Sequence, residues 1–171
     1  IAKEWHYRNE IGYMPQIGRY PENMTIANIF EMMKDIRKDS NKQLDEDLME
    51  SFKLNTLMNK KMHTLSGGTR QKVSAALAFL FNPSVLIQDK KTAGLEPLYS
   101  EKLKEKIIIE KEKGKLILIT SHVLSELDDL ITQVFYMQEG KILFYKNLSE
   151  LKSETGEEKL SKAISKIMLA Y

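Results

Sequence analysis

The chain has 171 residues, of which 42% are hydrophobic and 29% charged, as in ordinary globular domains. Its formal net charge of +2 gives no basis for bulk binding to nucleic acid, and the absence of cysteine excludes disulfides and thiolate metal sites. No apolar run approaches the roughly 18 residues of a membrane span, and no signal peptide is visible. The sequence lacks an initiator methionine, so we expect it to start inside a longer chain.

Periodicity predicts one short strand and three helices in the first half of the chain. The strand, which contains IGYM, lies within residues 9–16. The helices cover residues 25–38, 45–54 and 69–81, and the last of them stops at Pro83. These helices form a predicted helical subdomain beside a sheet.

Two continuous apolar strands mark the second half, at residues 84–88 and 116–121. A helix over residues 98–113 joins them and ends at Gly114, which predicts a parallel βαβ unit. The remaining predicted elements are a helix over 123–131, a hairpin of QVFYMQ and ILFYK around Glu139-Gly140, and a helical tail.

The sequence therefore predicts an α/β fold with a mostly parallel sheet, a helical subdomain and a C-terminal hairpin. The helical subdomain covers about 17–80, the remaining α/β core covers 1–16 and 81–147, and the tail covers 148–171. In such sheets ligands bind at the carboxyl ends of the strands. Asp89 and His122 follow two neighbouring strands, which favours a site over a coincidence.

The stretch LSGGT, residues 65–69, directly precedes the third helix. Ser66 is placed to cap that helix, and Gly67 and Gly68 expose backbone N–H groups at the positive end of its dipole. This arrangement predicts an anion site. An ordinary Ser/Gly helix start is the alternative for this stretch alone.

The longer stretch LSGGTRQKVSAALAFLFNPSVLIQDKKTAGLEP resembles the ATP-binding-cassette (ABC) ATPase family. Gln71 matches the glutamine of the family's LSGGxxQ signature, and Asp89 matches its Walker B aspartate. AGLEP at 93–97 looks like the D-loop, His122 occupies the switch-histidine position, and Gln16 ends a GYMPQ that looks like the Q-loop. The resemblance extends to about residue 148. Among the subgroups of the family, the sequence most resembles the bacterial export-type ATPases.

The resemblance implies a partial P-loop NTPase fold that uses ATP and Mg²⁺. Gln16 would reach Mg²⁺ and the attacking water, and His122 would polarise the γ-phosphate. The Ser66-Gly67-Gly68 turn, with Gln71 behind it, would contact ATP held by the opposite protomer, and Asp89 would hold Mg²⁺ through water. The implied partners are an integral-membrane permease and a second ABC ATPase domain in a homo- or heterodimer. The implied location is cytoplasmic, on the inner face of the cell membrane.

This sequence departs from the family in two places. It contains no GxxxxGK[ST] phosphate-binding loop, which we expect upstream of Ile1 together with a first strand beside residues 84–88. The 171 residues should therefore bind ATP poorly alone and expose apolar surface. The second departure is Lys90, which stands where the family has its catalytic glutamate and cannot accept a proton while charged.

Three hypotheses follow from these observations. The first is an ATPase subunit that powers a membrane permease. The second is a catalytically degenerate partner that contributes only its signature motif, which Lys90 motivates. The third is a soluble ABC ATPase that acts outside transport, which the near-neutral charge disfavours.

Overall fold

The protein is described at residues 6–38, 42–89 and 95–169 of a computed structural model. Three parallel strands form its main sheet in the order β1-β2-β3: Ile11–Met14, Val85–Asp89 and Leu116–Thr120. The helices are α1 (Ile26–Ile36), α2 (Asp47–Ser51), α3 (Gly67–Phe79), α4 (Pro97–Glu112), α5 (Leu148–Thr155) and α6 (Leu160–Met168). A second sheet pairs β4 (Gln133–Gln138) with β5 (Lys141–Asn147). Short 3-10 turns span His6–Glu10, Leu54–Leu57, Met62–Thr64 and Leu124–Glu126.

The chain divides into two units, residues 1–121 and 122–171. The first unit contains the parallel sheet and α1 to α4, and the second contains the antiparallel hairpin with α5 and α6. The α/β class, the parallel sheet and the C-terminal hairpin agree with the sequence analysis. The finer division into subdomain, core and tail stays a prediction.

Strand β1 packs closely on α3 because Gly12 has no side chain. A Cβ at Gly12 would lie 2.0 Å from the backbone oxygen of Ala78 and 2.8 Å from Cγ of Pro83. Real Cβ atoms do not approach this closely, so only glycine lets the strand and the helix meet here. The contact fixes the direction in which the chain leaves β1 and so positions the residues that follow Met14.

Strand β2 is the central strand. Its residues pair in parallel with β1 on one side, where Met14 faces Gln88, and with β3 on the other, where Asp89 faces Thr120. Both edges of β2 are thus occupied, because a strand has only two edges for hydrogen bonding. The expectation of a missing strand directly beside residues 84–88 is wrong.

One face of the parallel sheet exposes apolar side chains, as the sequence led us to expect. The exposed fractions are 55% for Tyr13, 66% for Leu116 and 49% for Leu118. On the opposite face Met14 and Leu86 are fully buried. Parallel sheets are normally covered on both faces, so the exposed face and the β3 edge provide room for further chain to pack.

Two predicted helices are shorter than expected. Within residues 45–54 only the five residues of α2 are α-helical. The helix ends there because Lys53 takes a left-handed conformation with φ 55°. Residues 123–131 form no α-helix; the prediction there is wrong, and only the turn Leu124–Glu126 is helical. Asp128 instead accepts a hydrogen bond from the Leu160 N–H at the start of α6, at 2.8 Å. Short polar side chains compete with helix in this way.

The hairpin of the second unit turns at Glu139 and Gly140, with φ of 49° and 73°. Two consecutive positive φ values are typical of the two-residue turns that match the twist of paired strands. Within 6–38, 42–89 and 95–169, no helix is both long and apolar enough to cross a membrane.

Candidate functional site

The carboxyl edge of the parallel sheet brings together three polar residues. Gln16 follows β1, Asp89 ends β2 and Thr120 ends β3. The register explains why, since Met14, Gln88 and Ile119 lie side by side across the three strands. Because the strands are parallel, whatever follows these positions emerges at the same edge. The segment that carries Gln16 and the Asp89 side chain therefore leave the sheet at the same edge.

The Asp89 carboxylate is oriented by its neighbour on β3. Thr120 donates its hydroxyl to Oδ1 of Asp89, and the Asp89 side chain remains half-buried. A hydrogen bond of this kind fixes the direction of a carboxylate and leaves its other lone pairs for a cation. Sequence reasoning did not identify Thr120. The available signal was its position directly before Ser121 and His122, at the end of an apolar strand.

The LSGGT turn forms the start of α3, as predicted. Ser66 is the N-cap, and its Oγ accepts a hydrogen bond from the Thr69 N–H at 3.2 Å. The first intrahelical bond runs from the Arg70 N–H to the Ser66 carbonyl at 3.0 Å. The N–H groups of Gly67 and Gly68 precede that bond, so the helix itself provides no acceptor for them.

The approach to this turn is open. Ser66 and Gly67 are exposed, and a Cβ built on Gly67 would meet no atom within 4 Å. An incoming anion therefore finds backbone donors, the positive end of a helix of 13 residues and no obstructing side chain. Within the residues that the structure describes, the turn has the properties of a phosphate-binding helix start.

Gln71 joins this helix to the Gln16 segment. Its Nε2 donates to the backbone carbonyl of Gln16, and the side chain is only 7% exposed. The link brings the predicted signature glutamine and the predicted Q-loop together. The expected contact of Gln71 with nucleotide stays a prediction, since its amide is engaged inside the protein.

A second hydrogen bond joins the residues after β1 to α3, three residues beyond Gln71. The Tyr20 hydroxyl and the Ser74 hydroxyl lie 2.9 Å apart, and a Cβ on Gly18 would come within 2.2 Å of Ser74 Oγ. Burial raises the pKa of Tyr20, and the hydrogen bond with Ser74 opposes that rise. The residues after β1 are thus held against α3 by two hydrogen bonds and one close packing contact.

Gln88 is an unusual residue in the core. It is fully buried beside Met14, and neither its Nε2 nor its Oε1 has a hydrogen-bonding partner in the structure. A buried amide without partners costs free energy, which explains why an aliphatic residue is expected in the middle of a parallel sheet. Nothing in the structure explains the choice of glutamine here.

Two of the predicted residues cannot be placed at this edge. Lys90, like Ala93 and Gly94 of AGLEP, lies outside the described residues. His122 is exposed and begins the second unit. The roles predicted for both residues stay predictions. The part of the chain that is described holds no cluster of three or more metal-binding side chains.

Known proteins resemble this chain over most of its length. The sequence profile of the ABC transporter family matches residues 2–93, which include Gln16, the LSGGT turn and Asp89. The chain belongs to the ABC transporter family.

Among ABC relatives, the uncharacterized ABC transporter ATP-binding protein YhaQ of Bacillus subtilis is 30% identical over 161 residues, which are 92% of this chain and 54% of YhaQ. The lipopolysaccharide export system ATP-binding protein LptB of Haemophilus influenzae is 28% identical, over 78% of this chain and 57% of LptB. The chain thus spans about half the length of the curated relatives it matches.

Solved structures of ABC proteins share the fold. An ATP-binding subunit of an ABC transporter superposes with a TM-score of 0.85 at 22% identity, covering 98% of this chain and 72% of that subunit. The ATP-binding cassette MJ0796, solved as a dimer bound to ADP and phosphate, gives a TM-score of 0.67 at 20% identity, covering 82% and 64%. These similarities confirm the α/β ABC ATPase fold predicted from the sequence.

Proposed function

We propose that this chain is part of the ATP-binding subunit of an ABC transporter and that it acts at a head-to-tail dimer interface. The observation that carries the proposal is the open LSGGT turn at the start of α3, where the N–H groups of Gly67 and Gly68 lack intrahelical acceptors. Such a turn is suited to a phosphate brought by another molecule, because nothing within the described chain covers it.

The carboxyl edge of the sheet suits the metal side of such a site. Mg²⁺ prefers a few oxygen ligands together with water and substrate phosphates, and one oriented carboxylate meets that preference. Asp89, held by Thr120, would contribute that carboxylate, and Gln16 would contribute its amide. When bound, Mg²⁺ and ATP supply the reactive phosphate and neutralise its charge.

The phosphates also need a cradle that these 171 residues do not contain, since GxxxxGK[ST] is absent from them. In our proposal a segment outside this stretch supplies it and packs on β3, where Leu116 and Leu118 are exposed. The MJ0796 structure, which is dimeric and bound to ADP and phosphate, supports a dimer as the nucleotide-bound form.

The work of the dimer would be passed to an integral-membrane permease, which places the subunit on the inner face of the cell membrane. The two hydrogen bonds that join Gln16 and Tyr20 to α3 support this part of the proposal. A rigid connection between the nucleotide edge and a helical region allows a change at one to reach the other.

A specific residue favours a second candidate function. Lys90 directly follows Asp89, where a carboxylate would serve as general base. In this version the subunit binds nucleotide and presents its LSGGT turn to a catalytic partner, but does not itself hydrolyse ATP. The pairing would then be a heterodimer.

Nucleotide-dependent association tests the proposal. We expect the complete polypeptide that contains this chain to sediment as a monomer without nucleotide and as a dimer with MgATP, because the γ-phosphate joins the two copies. MgADP, which lacks that phosphate, is the matched control and should leave the protein monomeric. A monomer that binds ATP without associating, either with itself or with a co-expressed second ABC subunit, would contradict the proposal.

A further inference from the structure

Lys72, on the first half of α3, is a buried lysine with two partners. The residue is 6% exposed, and its Nζ lies 3.2 Å from the centroid of the Tyr99 ring and 3.4 Å from Oε1 of Glu96. Burying an ammonium group is unfavourable unless other groups replace its water. A cation–π contact and an ion pair do so here. The low exposure of Lys72 strengthens the contact with the Tyr99 ring, whereas the Glu96 side chain of the ion pair is 70% exposed.

Both partners belong to the start of α4. Glu96 is the N-cap of that helix, and its carbonyl accepts the N–H groups of Tyr99 and Ser100 at 3.0 Å each. The Tyr99 ring stands edge-on to Phe52 with centroids 5.7 Å apart, and Phe52 is 1% exposed. Lys72 thus contacts an N-cap and an aromatic side chain that is itself anchored in the core.

The position of Lys72 on α3 shows which two parts of the chain this contact joins. It follows Gln71 on the helix that begins with the LSGGT turn, while its partners Glu96 and Tyr99 stand at the start of α4. Lys72 therefore ties the start of α3 to the start of α4. A displacement of α3 along its axis would alter the Glu96 and Tyr99 contacts together.

We infer that Lys72 is a positioning residue that couples phosphate binding at the LSGGT turn to the first turn of α4. The inference rests on the proposed function and deepens it. Phosphate bound at Gly67 and Gly68 fixes the start of α3, and Lys72 passes that restraint to the Glu96 cap and the Tyr99 ring. Glu96 also lies within AGLEP, so the coupled element is the end of that loop.

Amide hydrogen exchange of the complete polypeptide tests the coupling. Without nucleotide, Lys72→Met should speed exchange of the Tyr99 and Ser100 amides about tenfold, because the N-cap loses its partner while the methionine keeps the packing. Lys72→Arg retains the charge and should restore slow exchange. Lys104→Met is the matched control, since Lys104 pairs with Glu101 at 2.7 Å on the exposed side of the same helix.

Addition of MgATP separates coupling from a merely structural role. In the native protein and in Lys72→Arg, exchange should slow both at Gly67 to Thr69 and at Tyr99 and Ser100. In Lys72→Met only Gly67 to Thr69 should slow. Equal slowing of Tyr99 and Ser100 in native protein and Lys72→Met would overturn the coupling while leaving the proposed function intact. No response at Gly67 to Thr69 in the native protein would overturn both.

Discussion

Replacement of Lys90 by glutamate is expected to raise the rate of ATP hydrolysis by the complete polypeptide about 10²- to 10⁴-fold, the usual contribution of a general base. Asp89 ends β2 at the carboxyl edge of the sheet, and Lys90 directly follows it in the sequence. A charged lysine there cannot accept a proton from water, whereas a glutamate can. The measurement is steady-state phosphate release at saturating MgATP, with the native protein and the variant assayed together.

Lys91→Glu is the matched control for this experiment. It makes the same charge change one residue further along and should leave the rate close to that of the native protein. An equal rise in both variants would show that local charge, and not the carboxylate at position 90, controls the rate. A native protein already as fast as Lys90→Glu would contradict the assignment of position 90 and the second candidate function with it.

Replacement of Glu110 by glutamine is expected to lower the free energy of unfolding by about 3 kcal/mol at pH 7. Glu110 is fully buried on α4 and forms ion pairs with Lys106 at 3.4 Å, with Lys113 at 2.8 Å and with Lys115. Lys106 also pairs with Asp45 at 2.6 Å, which ties α4 to the chain before α2. Loss of the central charge leaves the buried Lys106 and the largely buried Lys115, together with the exposed Lys113, without their shared carboxylate.

The pH dependence of stability provides a second readout of the same cluster. Burial by itself would raise the pKa of Glu110, but hydrogen bonds from Lys113 and Lys115 and the charges of Lys115 and Lys106 lower it to about 2. Because the pKa is lowered on folding, the stabilisation is present above the ordinary value of 4.5 and is lost as the pH falls toward 2. Glu110→Gln should remove that part of the pH dependence.

Urea unfolding of the native protein, Glu110→Gln and Glu112→Gln at pH 7 and pH 3 measures both effects. Glu112 is the control because it is exposed on the same helix and undergoes the same substitution. The native protein and Glu112→Gln should lose stability together between the two pH values, while Glu110→Gln should change less. Equal stabilities of all three proteins at pH 7 would mean that the buried ion pairs contribute nothing net.

The elements that sequence predicted well are those with a local signal. The continuous apolar runs of β2 and β3 and the helix between them gave the parallel βαβ unit, and Gly114, with φ 81°, ends α4 where expected. The start of α3 was equally clear because Ser66 and two glycines have a local physical role there. Motif spacing then led to the family, which the profile match confirmed.

The features that sequence could not predict depend on tertiary partners. Thr120 was missed because its bond to Asp89 comes from the register of two strands 31 positions apart. The sequence singled out neither Glu110 nor Lys72, because the burial and the partners of both residues depend on the tertiary structure. The expectation of a further strand directly beside residues 84–88 was wrong, because it came from the family resemblance and the pairing of β2 with β1 and β3 is a tertiary feature.

The most direct test of phosphate binding at the LSGGT turn is the substitution Gly67→Asp, with Gly67→Ala as its steric control. A Cβ at Gly67 meets nothing within 4 Å, so neither variant should disturb packing. An aspartate in the first turn of a helix is favourable toward the dipole, so the free energy of unfolding should stay the same or rise. The same carboxylate would repel an incoming phosphate.

The measurement is dimerisation driven by MgATP, followed by sedimentation of the native protein and both variants. We predict that Gly67→Asp weakens MgATP-driven dimerisation at least about a hundredfold, since the aspartate and the phosphate would be forced within a few ångströms of each other. The free energy of unfolding of this variant should not fall. Gly67→Ala should show a smaller loss of dimerisation. A Gly67→Asp protein that dimerises with ATP as well as the native protein would show that the turn is only a helix start.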